Sequence, residues 1–401
     1  MKKTALALTL ILALLISSAV VVQPAKSSSK TIVVPDDFST IRDAIDHANA
    51  GDTVFVRKGT YEPLSKTYLN VNFVIDKSIN FIGEDRQETI IMGARGTQSQ
   101  VYLVILVNAD NVTISGFTIT SYQSMASLTV EGSGCKILGN NFMGRVGIDG
   151  ENNTFSENYI KDELNVGGSN NLISGNNVTR CPGAGMGLLG QNVTVRDNNI
   201  MNNGVNYDGN EQYNWYMGGM YVGNGPVYIY RNNITDNRQF GIGLNRDSNA
   251  TIFNNNILRN EVGIRLLLLN RTDIRAANKV YYNNLINNTK NVATVQIHVW
   301  DFISGFDGTD AVSWDNGRVG NYWSDYTGAD KDGDGIGDAN YTINAENADR
   351  YPLMHQVDIS TQAPAPAPLP TSPPIAYSMG FVAVIVLVLL GSTVYVLKRK
   401  D

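Results

Sequence analysis

The chain predicts an all-β fold, a right-handed parallel β-helix, from two repeated signatures and one exclusion. The first signature is Asn-Asn-apolar: Asn140-Asn141-Phe142, Asn176-Asn177-Val178, Asn198-Asn199-Ile200, Asn232-Asn233-Ile234, Asn255-Asn256-Ile257 and Asn283-Asn284-Leu285, with a looser copy at Asn158-Tyr159-Ile160. The second is a Gly followed by apolar-x-apolar, as in Gly147-Ile148, Gly185-Met186-Gly187-Leu188, Gly241-Ile242-Gly243-Leu244 and Gly263-Ile264-Arg265-Leu266. Self-similarity at about 20–30 residues marks a solenoid. Long helices are excluded, because no apolar stripe of period 3.6 persists past about residue 50. In such a coil, side chains alternate between core and solvent. Asn at a corner tolerates left-handed backbone angles, and stacked Asn side chains can hydrogen-bond along the axis. An Asn-rich disordered or aggregating tract would lack the regular apolar positions.

Taking the elements in order, Met1-Lys2-Lys3, the apolar run Ala5–Leu15 and Ser17-Ser18-Ala19 read as a secretory signal over residues 1–26, an uncleaved anchor being the alternative. Thr31–Pro35 is a short strand. Ser39 is placed to cap a helix whose apolar face is Ile41, Ala44, Ile45 and Ala48, ending before Gly51. That helix is expected to cover the first coil, whose open strand edge would otherwise recruit other chains. Coils begin at Asp52–Val56, continue through Ile79–Ile82 and Thr89–Met92, and fill residues 31–300. Residues 301–357 are expected to form a C-terminal cap.

The Pro-rich segment 358–374 is an extended, semi-rigid linker. Residues 375–397 are almost wholly apolar and long enough for one membrane-spanning helix. Lys398-Arg399-Lys400 in the tail 398–401 places that end in the cytoplasm and the body outside. Five sequons, at Asn111, Asn177, Asn192, Asn233 and Asn270, fit an external location. Only Cys135 and Cys181 are present, in different columns of the repeat, so a disulfide is not favoured. With 43% hydrophobic and 17% charged residues and a net charge of −6, the composition is globular and mildly acidic, and argues against nucleic acid as a partner.

Val34-Pro35-Asp36-Asp37-Phe38-Ser39-Thr40-Ile41, Ala44-Ile45, Ala50-Gly51-Asp52-Thr53-Val54-Phe55-Val56 and Gly59-Thr60-Tyr61 resemble the opening of pectin-lyase-like β-helix proteins. Gly320-Asn321-Tyr322-Trp323-Ser324-Asp325-Tyr326, the acidic loop after it and Asp349-Arg350-Tyr351-Pro352-Leu353-Met354 resemble the terminal motif of NosD-like proteins. The resemblance covers about residues 31–357 and implies a surface or periplasmic β-helix. It also implies carbohydrate-binding and sugar-hydrolysis repeats, and a founding relative that assists copper-site assembly. It speaks to fold more than to activity, because β-helices host many functions.

Asp330-Lys331-Asp332-Gly333-Asp334-Gly335-Ile336-Gly337-Asp338 is the sharpest chemical motif. Alternate carboxylates with Gly turns wrap a hard cation, so Asp330, Asp332, Asp334, Asp338 and the Ile336 carbonyl are expected to hold Ca2+. The alternative is a solvated acidic turn, in which close carboxylates would repel. Tyr341 stands where an EF-hand needs Glu, so the loop is similar rather to dockerin or thrombospondin-type calcium loops.

A ligand face is expected where outward residues stack about 5 Å apart. Aligning the coils gives Thr129, Asp149, Asn165, Gly187, Tyr221, Gly243, Arg265 and His298, with shallow spaces at Gly187 and Gly243 beside the Tyr221 ring. The repeat widens between Asn199 and Asn233, inserting Tyr207, Asp208, Glu211, Tyr213, Trp215 and Tyr216. Insertions in solenoids become loops on one face, and rings with amides and carboxylates suit sugars; equally, Trp215 and Tyr216 would fold such a loop onto its coil. Asp208, Glu211, Asp236 and Asp247 are candidates for a carboxylate pair, and Arg265 for a lyase base or a solvated surface group. Copper would need clustered His, Met or Cys, whereas His47, His298 and His355 are far apart and Met186 and Met220 fall in inward columns. The sequence therefore predicts a membrane-anchored, glycan-binding β-helix. A polysaccharide lyase or hydrolase, a structural or adhesive envelope component, and a copper-handling accessory are the alternatives.

Overall fold

The computed structural model describes residues 28–62, 71–93, 103–121, 126–206, 216–245, 248–269, 278–297, 312–345 and 347–361. The signal segment 1–26, most of the insertion, Asp247, Asn270, His298 and the apolar segment 375–397 lie outside these residues. Among the described residues no helix is long and apolar enough to cross a membrane.

Among the described residues, three parallel sheets of eleven, ten and eleven strands wind about one core, each strand pairing with its counterpart one coil on. One coil shows the plan: Thr113–Ser115 lies in the first sheet, Thr118–Thr120 in the third and Ala126–Val130 in the second. Alternation puts Ile114, Ile119, Leu128 and Val130 inside, all fully buried. Residues from Val34 to Trp323 form one continuous apolar core, including Met186 stacked on Met220. This is a parallel β-helix. The third sheet continues through Tyr322–Trp323, so coil structure extends beyond residue 300 into the segment expected to cap it.

The helix spans Ile41–His47 and buries Ile41, Ala44 and Ile45 against the first two strands, Thr31–Val34 and Thr53–Val56. Its N-cap is Thr40 rather than Ser39: the Thr40 hydroxyl accepts the Asp43 N–H at 3.1 Å.

The Asn repeat resolves into buried ladders. At the corner between the first and third sheets, Asn140, Asn158, Asn176, Asn198, Asn232, Asn255, Asn283 and Asn321 stack in order, each buried. Every Nδ2 donates to the Oδ1 of the next, at 2.9–3.3 Å. Each Oδ1 also accepts a main-chain N–H from the preceding rung, as Asn198 N–H does to Asn232 Oδ1 at 3.0 Å. The coils between rungs hold 18, 18, 22, 34, 23, 28 and 38 residues, so the ladder fixes the register while loop lengths vary. The ladder Asn residues are not the left-handed ones. Positive φ falls one residue earlier, at Gly139, Glu157, Gly175, Asp197, Arg231, Asn254 and Tyr282, because that residue must turn the chain so that the next side chain points inward.

A second ladder, Asn203, Asn237, Asn260 and Asn288, lines the corner between the third and second sheets. It explains the Gly signature. A Cβ at Gly185, Gly219, Gly241 or Gly263 would stand only 2.8–3.0 Å from the ladder nitrogen of the next coil.

Both ladders end on acids. Asn321 N–H donates to Asp349 Oδ2 at 2.6 Å and Trp323 Nε1–H to the same oxygen at 2.8 Å. The second ladder passes through Asn291 to Asp325 Oδ1 at 2.8 Å. Gly320 is obligatory, since a Cβ there would collide with the Asp349 carboxylate. These contacts give the terminal motif Gly320–Asp325 and Asp349 one physical role.

Removing a mid-ladder amide strands buried donors on the preceding coil and leaves acceptors on its own and both neighbouring coils one partner short. Asn232→Ala is expected to cost about 2–4 kcal/mol in denaturant unfolding, from unsatisfied buried groups and the cavity left behind. A loss below about 1 kcal/mol, the usual worth of an exposed hydrogen bond, would contradict that role.

Candidate functional site

The ligand face expected from the sequence lies on the outer side of the second sheet. Its register is Thr129, Gly147, Asn165, Gly187, Tyr221, Gly243, Arg265 and Ala293. Two positions therefore need correction. Gly147, not Asp149, occupies the column, because the strand enters one alternation earlier; Asp149 lies two residues on, exposed. Ala293, not His298, pairs with Arg265, and His298 falls outside the described residues.

The spaces beside Tyr221 are also filled. Asn165 Oδ1 occupies the room over Gly187, with Glu163 Oε1 4.0 Å from where a Cβ would lie. The Phe240 ring covers Gly243, within 3.0 Å of its Cβ position. Arg265 is not a surface group: it is 1% exposed, with its guanidinium carbon 6.0 Å from the Phe240 ring centre. The open part of the face is thus the stretch from Thr129 to Tyr221.

That stretch gathers residues the sequence reading missed. Glu163 stands two residues before Asn165 on the same outward side and is hydrogen-bonded to it. Burial pushes the Glu163 carboxyl above its ordinary range, against the opposing pull of the Asn165 bond and the Arg145 charge. Asp162 is raised too, again by burial first, although the Glu163 N–H donates to its Oδ1 at 2.9 Å. Beneath them the Cys181 thiol is buried and held well above its normal range by desolvation, and both cysteines are free. The period-two alternation that selected Asn165 also selects Glu163 and was the available signal.

Beside these groups the surface is apolar. Leu189 is 46% and Tyr216 37% exposed, and Leu189 and the Tyr221 ring flank Gly223. Tyr216 lies beside Gly183. Tyr207, Asp208, Glu211, Tyr213 and Trp215 lie outside the described residues. Asp236 is not available as a catalytic partner: Arg259 holds it through two bonds at 2.8 and 2.6 Å, which keep its carboxyl below the usual range.

At the acidic loop, carboxylate oxygens of Asp330, Asp332 and Asp334 lie within 4.8 Å of one another. Asp330 shapes the turn by accepting Gly333 N–H at 2.7 Å and Gly335 N–H at 2.9 Å, with both glycines at positive φ. Asp338 stands apart from this trio and accepts the Lys331 N–H at 3.1 Å. Ile336 N–H donates to Asp334 Oδ1 at 2.8 Å. The donor set is oxygen only, which suits a hard cation. Among the described residues no other group of His, Cys, Asp and Glu is gathered in this way. Met186 and Met220 are spent in the core, so the described donors do not fit copper.

Residues 151–328 match the family model described as "Periplasmic copper-binding protein (NosD)". Over that stretch, less than half of its length, the chain is a NosD-like β-helix. No curated protein matches the sequence. Among solved structures, the mannuronan C-5 epimerase AlgE6 A-module of Azotobacter vinelandii is 16% identical, with 69% of this chain and 93% of that chain covered, at a TM-score of 0.38. Pectate lyase Pel9A is 17% identical, covering 73% and 82%, at 0.44. A point mutant of the periplasmic alginate epimerase AlgG is 13% identical, covering 66% and 71%, at 0.32. At such identities and TM-scores they bear on neither substrate nor mechanism.

The electrostatics of the open stretch can be measured directly. In a carbon-detected NMR titration, Glu163 should have a midpoint above the ordinary glutamate range. It should move further up in Arg145→Ala, which removes a neighbouring cation, and down in Asp162→Asn, which removes a neighbouring anion. A midpoint in the ordinary range would contradict the desolvated setting.

Proposed function

We propose that this protein binds carbohydrate on the outer face of its second sheet, between Asp149 and Tyr221. One observation carries the reading. The open stretch sets a desolvated carboxyl bonded to an amide, Glu163 with Asn165, beside apolar surface from exposed Tyr216 and Leu189 and half-buried Tyr221. Rings and aliphatic groups pack on sugar C–H faces while polar groups meet the hydroxyls. The raised Glu163 carboxyl also has the property a general acid needs, which favours hydrolysis as the second reading. The NosD-like segment carries a periplasmic description, in keeping with a body held outside the membrane by residues 375–397.

We further propose that Asp330, Asp332 and Asp334 hold Ca2+, with the Ile336 carbonyl as a further ligand. The loop is tied to the ladder terminus, because Gly337 N–H donates to Pro352 O, Met354 N–H to Gly335 O, and Leu353 N–H to Asn321 O. Bound calcium would therefore stabilise the closed end of the solenoid rather than supply chemistry.

The full-length protein, incubated with a polysaccharide panel in calcium, should be retained by a glycan with no new reducing ends. Tyr221→Ala should abolish retention. New chain ends lost in Glu163→Gln would establish hydrolysis instead, and retention unchanged by Tyr221→Ala would exclude this face. Chelation should lower the melting temperature of the wild type but not of Asp332→Ala/Asp334→Ala; identical wild-type curves with and without chelator would refute the calcium site.

A further inference from the structure

The third sheet carries an amide ladder on its outside. Asn177, Asn199, Asn233, Asn256 and Asn284 occupy one outward column in unbroken register. Asn233 Nδ2 donates to Asn199 Oδ1 at 3.1 Å, Asn256 Nδ2 to Asn233 Oδ1 at 2.9 Å, and Asn284 Nδ2 to Asn256 Oδ1 at 2.7 Å. The direction is opposite to that of the buried ladders. A carboxamide has two N–H donors and two oxygen lone pairs, and the ladder uses one of each at Asn233 and Asn256. The rest face outward: Asn177 and Asn199 are exposed, and Asn233 and Asn256 are half-buried.

The last rung shows what such an edge takes. Asn284 donates its spare N–H to Val357 O at 2.7 Å and accepts Val357 N–H at 2.7 Å. One amide thus grips a neighbouring donor and acceptor on an extended polymer, here the chain's own backbone. Two adjacent equatorial hydroxyls of a pyranose offer the same pair, a donor beside an acceptor. In the next column Thr179 is buried, and Met201, Thr235 and Leu258 are half-buried and uncharged, a floor of methyl and methylene groups for sugar C–H faces. Rungs repeat about every 4.8 Å along the axis, a spacing of the order of one sugar unit in an extended β-linked chain.

We infer that the strip from Asn177 to Asn256 is a second binding surface, taking a neutral β-linked polysaccharide laid along the solenoid axis. It goes beyond the site on the second sheet, faces another side of the coil and shares no residue with it. Neither column contains an ionisable group; of the exposed arginines that follow, Arg180 and Arg259, the latter is paired with Asp236.

Affinity electrophoresis of the full-length protein through gels containing soluble neutral β-glucan or polygalacturonate tests this. β-Glucan should retard the wild type and polygalacturonate should not retard it through this strip. Asn199→Ala/Asn233→Ala should weaken the β-glucan interaction about tenfold or more, as expected for losing two or more hydrogen bonds. Because that variant alters a structural ladder, Thr235→Arg is the second probe: it blocks the strip and leaves every amide in place, and should weaken retardation equally. No retardation of the wild type, retardation indifferent to Thr235→Arg, or retardation abolished by Tyr221→Ala and spared by Thr235→Arg would overturn the proposal.

Discussion

An asparagine amide stacked on the next asparagine amide, with its oxygen also taking a main-chain N–H, is the interaction on which the rest of this molecule depends. Each rung satisfies corner groups that no strand pairing can reach. Because every Nδ2 donates toward the C-terminal end, the ladders are polarised, and a polarised chain of donors needs a group that only accepts at its end. Asp349 and Asp325 are those groups. Burial raises the Asp349 carboxyl, and three donated N–H bonds pull it back. The acidic loop, the Trp323 indole and the Asp315–Arg350 pair at 2.6 Å surround this terminus. The residues between 312 and 354 are therefore organised by the end of a ladder.

The same interaction frees the outside of the coil. With register held at the corners, coils of 18 residues and of 34 residues stack equally well. Outward side chains and inserted loops can then vary without cost to the core. Binding surfaces on a β-helix are for this reason columns, one residue per coil, and their chemistry changes from face to face. On the second sheet an amide and a ring in the column stand beside the carboxyls of Asp162 and Glu163. On the third it is nearly pure amide beside aliphatic groups.

Much of the architecture was legible in the sequence. The Asn-Asn-apolar repeat located the first ladder, and the alternation of Ile and Val located the core. The second ladder was harder, because Asn203, Asn237 and Asn260 follow Asn202, Asp236 and Arg259 rather than a constant residue; its visible trace was the Gly at 185, 219, 241 and 263. The candidate site was legible only in part. A one-step error in alternation put Asp149 in place of Gly147. Arg265 looked like a surface group because burial of an outward residue depends on segments packing from elsewhere in the chain. Glu163 was passed over because desolvation is set by tertiary neighbours such as Asn165 and is invisible in a local pattern. Gly187 and Gly243 suggested open spaces, yet Asn165 and Phe240 fill them, since interiors close up wherever a neighbour can reach.

The most direct test of the central claim is to compare Asp349→Asn with Asp349→Leu by equilibrium unfolding. Both replacements remove the charge, but only the carboxamide keeps an oxygen for the Asn321 and Trp323 donors. The account predicts that Asp349→Asn loses about 1–2 kcal/mol, for the one misplaced partner at Tyr351, and that Asp349→Leu loses several kcal/mol more because the ladder then ends on unsatisfied buried donors. A leucine variant as stable as the asparagine variant would contradict it, and would mean that apolar packing holds the solenoid without its polarised ladders.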